Sequence, residues 1–160
     1  MSILIYADGA CAGNPGPGGY GAIIINGSDR KEISGGFVET TNNRMELMAV
    51  IKAIDEVQGI STIQVFSDSK YVIDGINVWM KKWAMSFWRT SRGKPVLNQD
   101  LWKILKSYTD RHSITFSWVK GHCNHLENNR ADELANKAIH RGNWDIDRGY
   151  SYRAAQGECL

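Results

Sequence analysis

The feature that most constrains the fold is a change of hydrophobic period near residue 41. Before it, the segments "SILIYAD", "GYGAIIING" and "KEISGGFVET" are predicted to be three strands on short connections, which indicates an antiparallel meander. After it, Leu47, Ile51 and Ile54 recur at helical spacing, with Thr41 or Asn42 as the N-cap. The first part of the chain therefore builds a sheet, and the rest must cover it.

Helices and strands alternate after the first helix. Strands are predicted at "TIQVFSD" and "SITFSWVK", and helices at "SKYVIDGINVWMKKWA", "NQDLWKILKSYTDRH" and "LENNRADELANKAIHR". We therefore predict one α/β domain over residues 1–141, with three antiparallel strands and then parallel strands in a five-stranded mixed sheet flanked by helices. Residues 142–160 show no clean period and are predicted to form a loosely held tail.

Composition limits the compartment and the class of partner. The 160 residues are 42% hydrophobic and 22% charged, and no apolar run approaches the roughly 18 residues of a membrane span. The N-terminal apolar stretch has no basic region before it, which argues against a signal peptide. Three scattered cysteines argue against a disulfide framework, so a reducing, cytoplasmic location is expected. The net charge of +2 does not by itself predict a nucleic-acid partner.

Four carboxylates are candidates for one metal site. Asp8 is predicted to close the first strand and Asp68 the fourth, so they share one sheet edge if those strands are parallel neighbours. Glu46 and Asp132 lie in predicted helices beside small alanines. Singly, each has an ordinary explanation as a turn cap or a solvated helix residue. Together they would repel one another without a cation, and carboxylate oxygens suit Mg²⁺ or Mn²⁺.

Five motifs carry a resemblance to a known family. They are "YADGACAGNPGPGGYGA", "TTNNRMELMA", "FSDSKYVIDGI", "KPVLNQDLW" and "VKGHCNHLENNRADELA", in order from about Ile3 to Arg141. On these motifs the chain resembles type 1 ribonucleases H. The resemblance implies a ribonuclease H-like fold and a monomeric endonuclease that hydrolyses the RNA strand of RNA–DNA hybrids to 5′-phosphate and 3′-hydroxyl products. It also implies that two Mg²⁺ ions, with Mn²⁺ as the alternative, are held by Asp8, Glu46, Asp68 and Asp132.

The segment from Lys120 to Ala135 also suggests zinc, because His122, Cys123 and His125 stand close together. A structural zinc site needs four nitrogen or sulfur ligands, and no second Cys or His pair lies nearby, so zinc is not predicted. The resemblance instead assigns His122 to a loop over the active site, where it assists proton transfer or product release. Without the motif, His122 would be an ordinary exposed loop histidine. Asn124 and Leu126 replace the Gly and Pro that the family often has there.

Short polar residues are the candidates for substrate contact. The segment "GNPGPGGYG" lacks the "GK[ST]" of a nucleotide-binding loop, so a tight connection between strands is predicted. By resemblance, four residues line the groove for the RNA strand and its 2′-hydroxyls: Cys11, Asn14, Asn42 and Asn43. Asn42 and Asn43 are equally candidates for helix caps. Thr41 and Asn98 match the family's pocket for a DNA phosphate, and the role of Lys70, where the family often has Gln, stays open.

Residues 77–94 form a local basic patch, which we call the protrusion. It has five cations and no acid: Lys81, Lys82, Arg89, Arg92 and Lys94. Three tryptophans are interleaved, which fits either core packing or a surface that follows a nucleic-acid backbone. By resemblance the protrusion grips the hybrid, with Trp79, Lys81, Lys82 and Trp83 as contacts. A hybrid-binding module without catalysis and a DNA-directed nuclease are the two alternative functions.

Overall fold

Five strands form one sheet in this computed structural model, which describes residues 2–121 and 125–155. The strands are β1 (Ile3–Cys11), β2 (Gly16–Asn26), β3 (Asp29–Thr40), β4 (Thr62–Ser67) and β5 (Ser113–Trp118). Their order in space is β3-β2-β1-β4-β5. The pairs β1–β2 and β2–β3 are antiparallel, whereas β1–β4 and β4–β5 are parallel. The predicted meander and the five-stranded mixed sheet are confirmed.

The helices lie on both faces of the sheet. They are α1 (Asn42–Asp55), α2 (Lys70–Asp74), α3 (Met80–Met85), α4 (Gln99–Arg111), α5 (Leu126–His140) and α6 (Arg148–Ala155). A π-helical turn, Gly75–Trp79, separates α2 from α3, so the single helix predicted from Ser69 to Ala84 is divided into three segments. At Gly75 a Cβ atom would lie 2.2 Å from the Trp102 ring. The interruption thus coincides with the place where a buried indole presses on the helix backbone.

The main core fills the space between the sheet and the helices on one face. Ile5, Val50, Val65 and Trp102 are fully buried there. On the opposite face α5 covers β2 with a smaller cluster that includes Ile23 and Leu134. Side chains of successive strand residues point to opposite faces, which is why Ile23 and Ile24 belong to different clusters.

The C-terminal segment is docked on the domain rather than loose. Asp147 is 3% exposed and Arg153 is 8% exposed. Asp147 accepts hydrogen bonds from Arg44 Nε at 2.8 Å and from Thr40 Oγ1 at 2.6 Å. The prediction of a loosely held tail is wrong for residues 147–155, and residues 156–160 lie outside the described residues. The docking was missed because ion pairs with distant residues leave no hydrophobic period in the sequence. The domain boundary at residue 141 stays a prediction.

We call Arg44, Asp100, Asp147 and Arg153 the arginine–aspartate network. Arg44 Nη2 lies 2.7 Å from Asp100 Oδ2, and Arg153 Nη2 lies 3.9 Å from Asp100 Oδ1. The network joins α1, the start of α4 and α6. In the described part of the chain, no helix has both the length and the apolarity needed to cross a membrane.

Candidate active site

β1 carries Asp8 beyond the end of its pairing with β4. The parallel ladder ends at the pair Tyr6–Phe66, and Asp8 lies opposite Gly21 of β2. The prediction that Asp8 closes the strand is wrong in detail, because antiparallel pairing with β2 extends β1 to Cys11. The prediction that β1 and β4 are parallel neighbours is confirmed. Asp68 directly follows β4, so both aspartates lie just beyond the end of the β1–β4 pairing.

Asp8, Glu46 and Asp68 form one cluster, with a ligand oxygen from each within 4.8 Å of the others. Asp8 is 4% exposed, Glu46 is 7% exposed and Asp68 is half-buried. Glu46 reaches β1 because a glycine follows Asp8: a Cβ atom at Gly9 would lie 2.4 Å from the Glu46 nitrogen. The Gly9 N–H donates to Asp8 Oδ1 at 2.9 Å and to Glu46 Oε2 at 3.2 Å.

Asp132 approaches the cluster from the opposite face of the sheet. A Cβ atom at Gly21 would lie 2.5 Å from the Ala131 carbonyl oxygen, so only a glycine lets α5 lie this close to β2. Because Gly21 is also the partner of Asp8, this contact puts Asp132 beside Asp8. The two carboxyl groups are close enough for the charge of Asp132 to raise the pKa of Asp8. Asn136 Nδ2 donates to Asp132 Oδ1 at 3.1 Å and orients it.

Burial and mutual repulsion shift the cluster toward its protonated form. Burial first, then the charges of Asp68 and Asp132, raise the pKa of Asp8 to about 8. Burial and the charges of Asp8 and Asp68 likewise raise the pKa of Glu46 well above its ordinary value. Such a cluster ionises fully at neutral pH only if positive charge is added. The residues present fit a divalent cation of the hard, oxygen-binding kind.

Comparison with known proteins identifies the family of this site. The family model described as RNase H matches residues 1–140. The chain belongs to the ribonuclease H family. It is 53% identical over 137 residues to the ribonuclease H of Thiobacillus denitrificans, which covers 86% of this chain and 93% of that protein. It is 47% identical over 149 residues to the ribonuclease H of Pseudomonas fluorescens, with coverages of 93% and 96%.

Solved ribonuclease H structures share the fold. LC9-RNase H1, a type 1 RNase H with the type 2 active-site motif, has a TM-score of 0.76 at 31% identity and covers 96% of this chain and 80% of its own. LC11-RNase H1 in complex with an RNA/DNA hybrid has a TM-score of 0.67 at 28% identity, with coverages of 88% and 98%. The resemblance to type 1 ribonucleases H is therefore confirmed.

Two residues near Asp68 were not singled out from the sequence. The Trp118 Nε1–H donates to the Asp68 carbonyl oxygen at 3.0 Å. A Cβ atom at Gly121 would lie 2.8 Å from Asp68 Oδ2. The one feature of the sequence that could have indicated them is their position, at the end of β5 or just after it and before His122. Lys70 Nζ lies 5.0 Å from the centre of the Trp118 ring, so its charge is held over an aromatic face at the edge of the ribonuclease H site.

Residues 122–124 lie outside the described residues. The role predicted for His122 therefore stays a prediction, as does the effect of Asn124. Leu126 begins α5 and is 81% exposed. Within residues 2–121 and 125–155, the group that could hold a metal ion consists of Asp8, Glu46 and Asp68, without a histidine.

The candidate residues for RNA contact meet at the start of α1. Asn14 Oδ1 accepts a hydrogen bond from the Asn42 N–H at 3.1 Å, which ties the β1–β2 connection to the helix. Thr41 is the N-cap, since its side chain accepts from the Arg44 N–H at 3.3 Å. Of the three cap candidates, Thr41, Asn42 and Asn43, Thr41 is therefore the correct one. The Cys11 thiol lies nearby, at the end of β1, and donates to the Thr40 carbonyl oxygen at 3.5 Å.

Thr41 and Asn98 line one small pocket, and the phosphate site predicted for them stays a prediction. Its volume is about 90 Å³, and its lining residues are Asn14, Pro15, Thr41, Asn43, Leu97 and Asn98. Asn98 is 2% exposed and has a left-handed backbone with φ of 61°. The pocket thus contains Asn14 and Asn43 as well, which the ribonuclease H resemblance assigns to the RNA strand.

The two predicted tryptophan contacts of the protrusion differ in environment. Trp79 is 48% exposed, and Lys82 Nζ lies 5.2 Å from the centre of its ring. Trp83 is half-buried and packs on Trp102, with ring centres 5.4 Å apart. Trp83 therefore fits the explanation of core packing, whereas Trp79 fits the explanation of a surface that follows a nucleic-acid backbone. Both line a groove of about 500 Å³ that also includes Lys82 and Arg89.

Proposed function

We propose that this chain is an endonuclease that hydrolyses the RNA strand of RNA–DNA hybrids with two Mg²⁺ ions and leaves 5′-phosphate and 3′-hydroxyl ends. The observation that carries the proposal is the convergence of Asp8, Glu46 and Asp68 oxygens within 4.8 Å in a member of the ribonuclease H family. The hybrid bound to the related LC11-RNase H1 supports the choice of substrate.

Four carboxylates would hold the ions: Asp8, Glu46, Asp68 and Asp132. Asp8 lies close to the other acids, so it would share in holding the ions with each of them. When bound, the ions supply an activated water and neutralise charge at the leaving oxygen. The Gly9 N–H, bonded to both Asp8 and Glu46, holds these two carboxylates in place before any ion arrives.

The remaining proposed residues bind substrate or move a proton. We assign His122 to proton transfer or product release, because imidazole exchanges protons near neutral pH. Groups at the start of α1 would contact RNA 2′-hydroxyls, which DNA lacks. The Thr41–Asn98 pocket and the protrusion would bind the DNA strand through backbone contacts, which carry no base sequence. This division favours a hybrid over either pure duplex, without sequence preference.

We further propose that the protein acts as a monomer in the cytoplasm. One chain supplies all four proposed metal ligands, so the site needs no second subunit. A half-exposed free thiol such as Cys11 persists in a reducing compartment.

A cleavage assay tests the proposed function. Labelled RNA–DNA hybrid, duplex RNA and duplex DNA are incubated with the protein in Mg²⁺, in Mn²⁺ and in EDTA. We expect metal-dependent cuts in the RNA strand of the hybrid alone. Binding of the hybrid without cleavage would support the hybrid-binding module instead, and cleavage of duplex DNA would support a DNA-directed nuclease.

A matched pair of variants tests the fourth carboxylate. Asp132→Asn removes the acid that approaches Asp8, whereas Glu133→Gln changes its neighbour on the exposed side of α5. We expect Asp132→Asn to lose most of its activity and Glu133→Gln to keep it. Equal activity in the two variants would remove Asp132 from the site.

A further inference from the structure

The side-chain amide of Asn98 is held from both ends. Its Oδ1 accepts hydrogen bonds from Arg44 Nη1 at 3.3 Å and from Arg153 Nη2. Its Nδ2 donates to Tyr71 Oη at 3.0 Å, and the same hydroxyl oxygen accepts from Trp102 Nε1. In the described part of the chain, the second N–H of Asn98 Nδ2 has no acceptor. That N–H is the donor with which Asn98 can meet a ligand in the pocket it lines.

The two guanidinium groups decide which end of this amide faces them. A hydroxyl group both donates and accepts, so Tyr71 would bond to either end of the Asn98 amide. A guanidinium group only donates, so Arg44 and Arg153 bond to the oxygen and disfavour the NH₂ group. The amide is therefore held with its N–H groups on the other side. An anion needs that orientation, because the flipped amide would present a carbonyl oxygen to it.

Arg153 reaches Asn98 because α6 lies directly on the arginine–aspartate network. A Cβ atom at Gly149 would lie 2.1 Å from Asp100 Oδ2 and 2.5 Å from Arg44 Nη2. A side chain at this position would displace the ends of Asp100 and Arg44, so the glycine lets the helix lie against the undisturbed Arg44–Asp100 ion pair. Arg153 follows one turn later and is 8% exposed, so its guanidinium group is enclosed between α6 and the start of α4.

We infer that Arg153 is a positioning residue for anion binding in the pocket of Thr41 and Asn98. The inference rests on the proposed function, which assigns this pocket to a phosphate of the DNA strand. Arg153 belongs to α6, which lies outside the residues 1–140 that match the family model. It orients the Asn98 amide without touching the substrate. Its loss weakens hybrid binding and leaves the chemistry at the acidic cluster unchanged.

The test compares two arginines of the same helix. Arg153→Met removes the donor to Asn98, whereas Arg148→Met removes an equal charge from an exposed position of α6. In steady-state hybrid cleavage we expect Arg153→Met to raise KM by roughly 10-fold, the scale of one hydrogen bond to a charged group, with kcat unchanged. Arg148→Met should keep the wild-type KM. Arg153→Lys keeps a donor and should recover part of the loss.

A double-variant cycle with Asn98→Ala separates positioning from general stability. Asn98→Ala should also raise KM, and Arg153→Met should add little to it, because both changes remove the same interaction.

Three outcomes would contradict these expectations. A lower melting temperature with unchanged KM in Arg153→Met, while Asn98→Ala raises KM, would overturn only the inference about Arg153. Unchanged KM in Asn98→Ala would overturn both the pocket and the inference. A wild-type protein that does not cleave the hybrid would overturn the proposed function. Should Arg153→Met not fold, Arg153→Lys against Arg148→Lys gives the same comparison.

Discussion

Two groups of charged residues in this domain are built on opposite principles. In the acidic cluster, Asp8 and Glu46 are buried against other carboxylates, and a single backbone N–H bonds to both. In the arginine–aspartate network, Arg44 is 1% exposed and forms paired contacts to Asp100 and to Asp147. Each acid of the network faces a guanidinium group, so its charge is balanced inside the protein.

The difference shows in the pKa of the acids. Burial and neighbouring acids raise the pKa of Asp8 to about 8. Burial opposes ionisation of Asp100 as well, but the hydrogen bonds and charge of Arg44 outweigh it and lower its pKa. Buried acids alone therefore do not indicate a functional site. The informative property is whether the protein supplies the opposite charge or leaves it to a bound ion.

Asp8→Asn should produce the largest loss of activity. Removal of the shared carboxylate should lower kcat by more than roughly 10³-fold, because a bound ion contributes several kcal/mol to the transition state. The free energy of unfolding in EDTA should stay equal or rise, because one source of repulsion disappears. Activity and urea denaturation measured on the same preparation, with folding checked by circular dichroism, test both parts. Near-wild-type turnover would remove Asp8 from the site.

Asp147→Asn should show the opposite pattern. It leaves the Arg44 charge buried and partly unpaired, which costs about 3–5 kcal/mol of unfolding free energy. Turnover per folded molecule should stay close to wild type. Asp145→Asn, an exposed change two residues earlier, is the matched control. A loss below about 1 kcal/mol, the scale of a surface pair, would show that the network does not support the fold.

His122→Ala tests whether the acidic cluster has a histidine ligand. One acid–base contribution predicts that turnover falls by roughly 10²-fold or less, with hybrid binding almost unchanged. Single-turnover kinetics and a binding titration measure the two effects separately. A loss as complete as that of Asp8→Asn would instead indicate that His122 binds metal.

The two groups should give stability profiles of opposite slope with pH. Because the folded pKa of Asp8 is raised from 3.8 to about 8, its contribution to stability is present below pH 3.8 and is lost as pH rises toward 8. The pKa of Asp100 is lowered, so its contribution is present above its ordinary value and is lost as pH falls. Urea denaturation in EDTA should therefore show a maximum in mildly acidic solution. Addition of Mg²⁺, or the change Asp8→Asn, should reduce the loss of unfolding free energy as pH rises above this maximum. The same loss in Asp8→Asn as in the wild type would contradict this account.

The protrusion extends the comparison, because its cations have no acid within residues 77–94. The double change Lys81→Ala and Lys82→Ala should make the slope of log K for hybrid binding against log salt concentration less steep. The change in slope should be up to about 0.9 for each phosphate that the variant no longer neutralises. An unchanged salt slope in the double variant would exclude this segment from the binding site.

The two tryptophans of the protrusion should respond differently. Trp79→Ala should raise KM, whereas Trp83→Ala should mainly lower the melting temperature, because Trp83 packs on Trp102.

The sequence by itself determined the strand meander and the first helix with Thr41 as a candidate cap, and it made four acids candidates for one site. These features depend on period, caps and strand ends, which act between residues close along the chain. The place of Asp132 depended instead on Gly21, which lets α5 approach β2, and the docking of α6 depended on ion pairs such as Arg44–Asp147, 103 residues apart. Close approach and charge pairing over such separations leave no local pattern, so only the tertiary structure decided them.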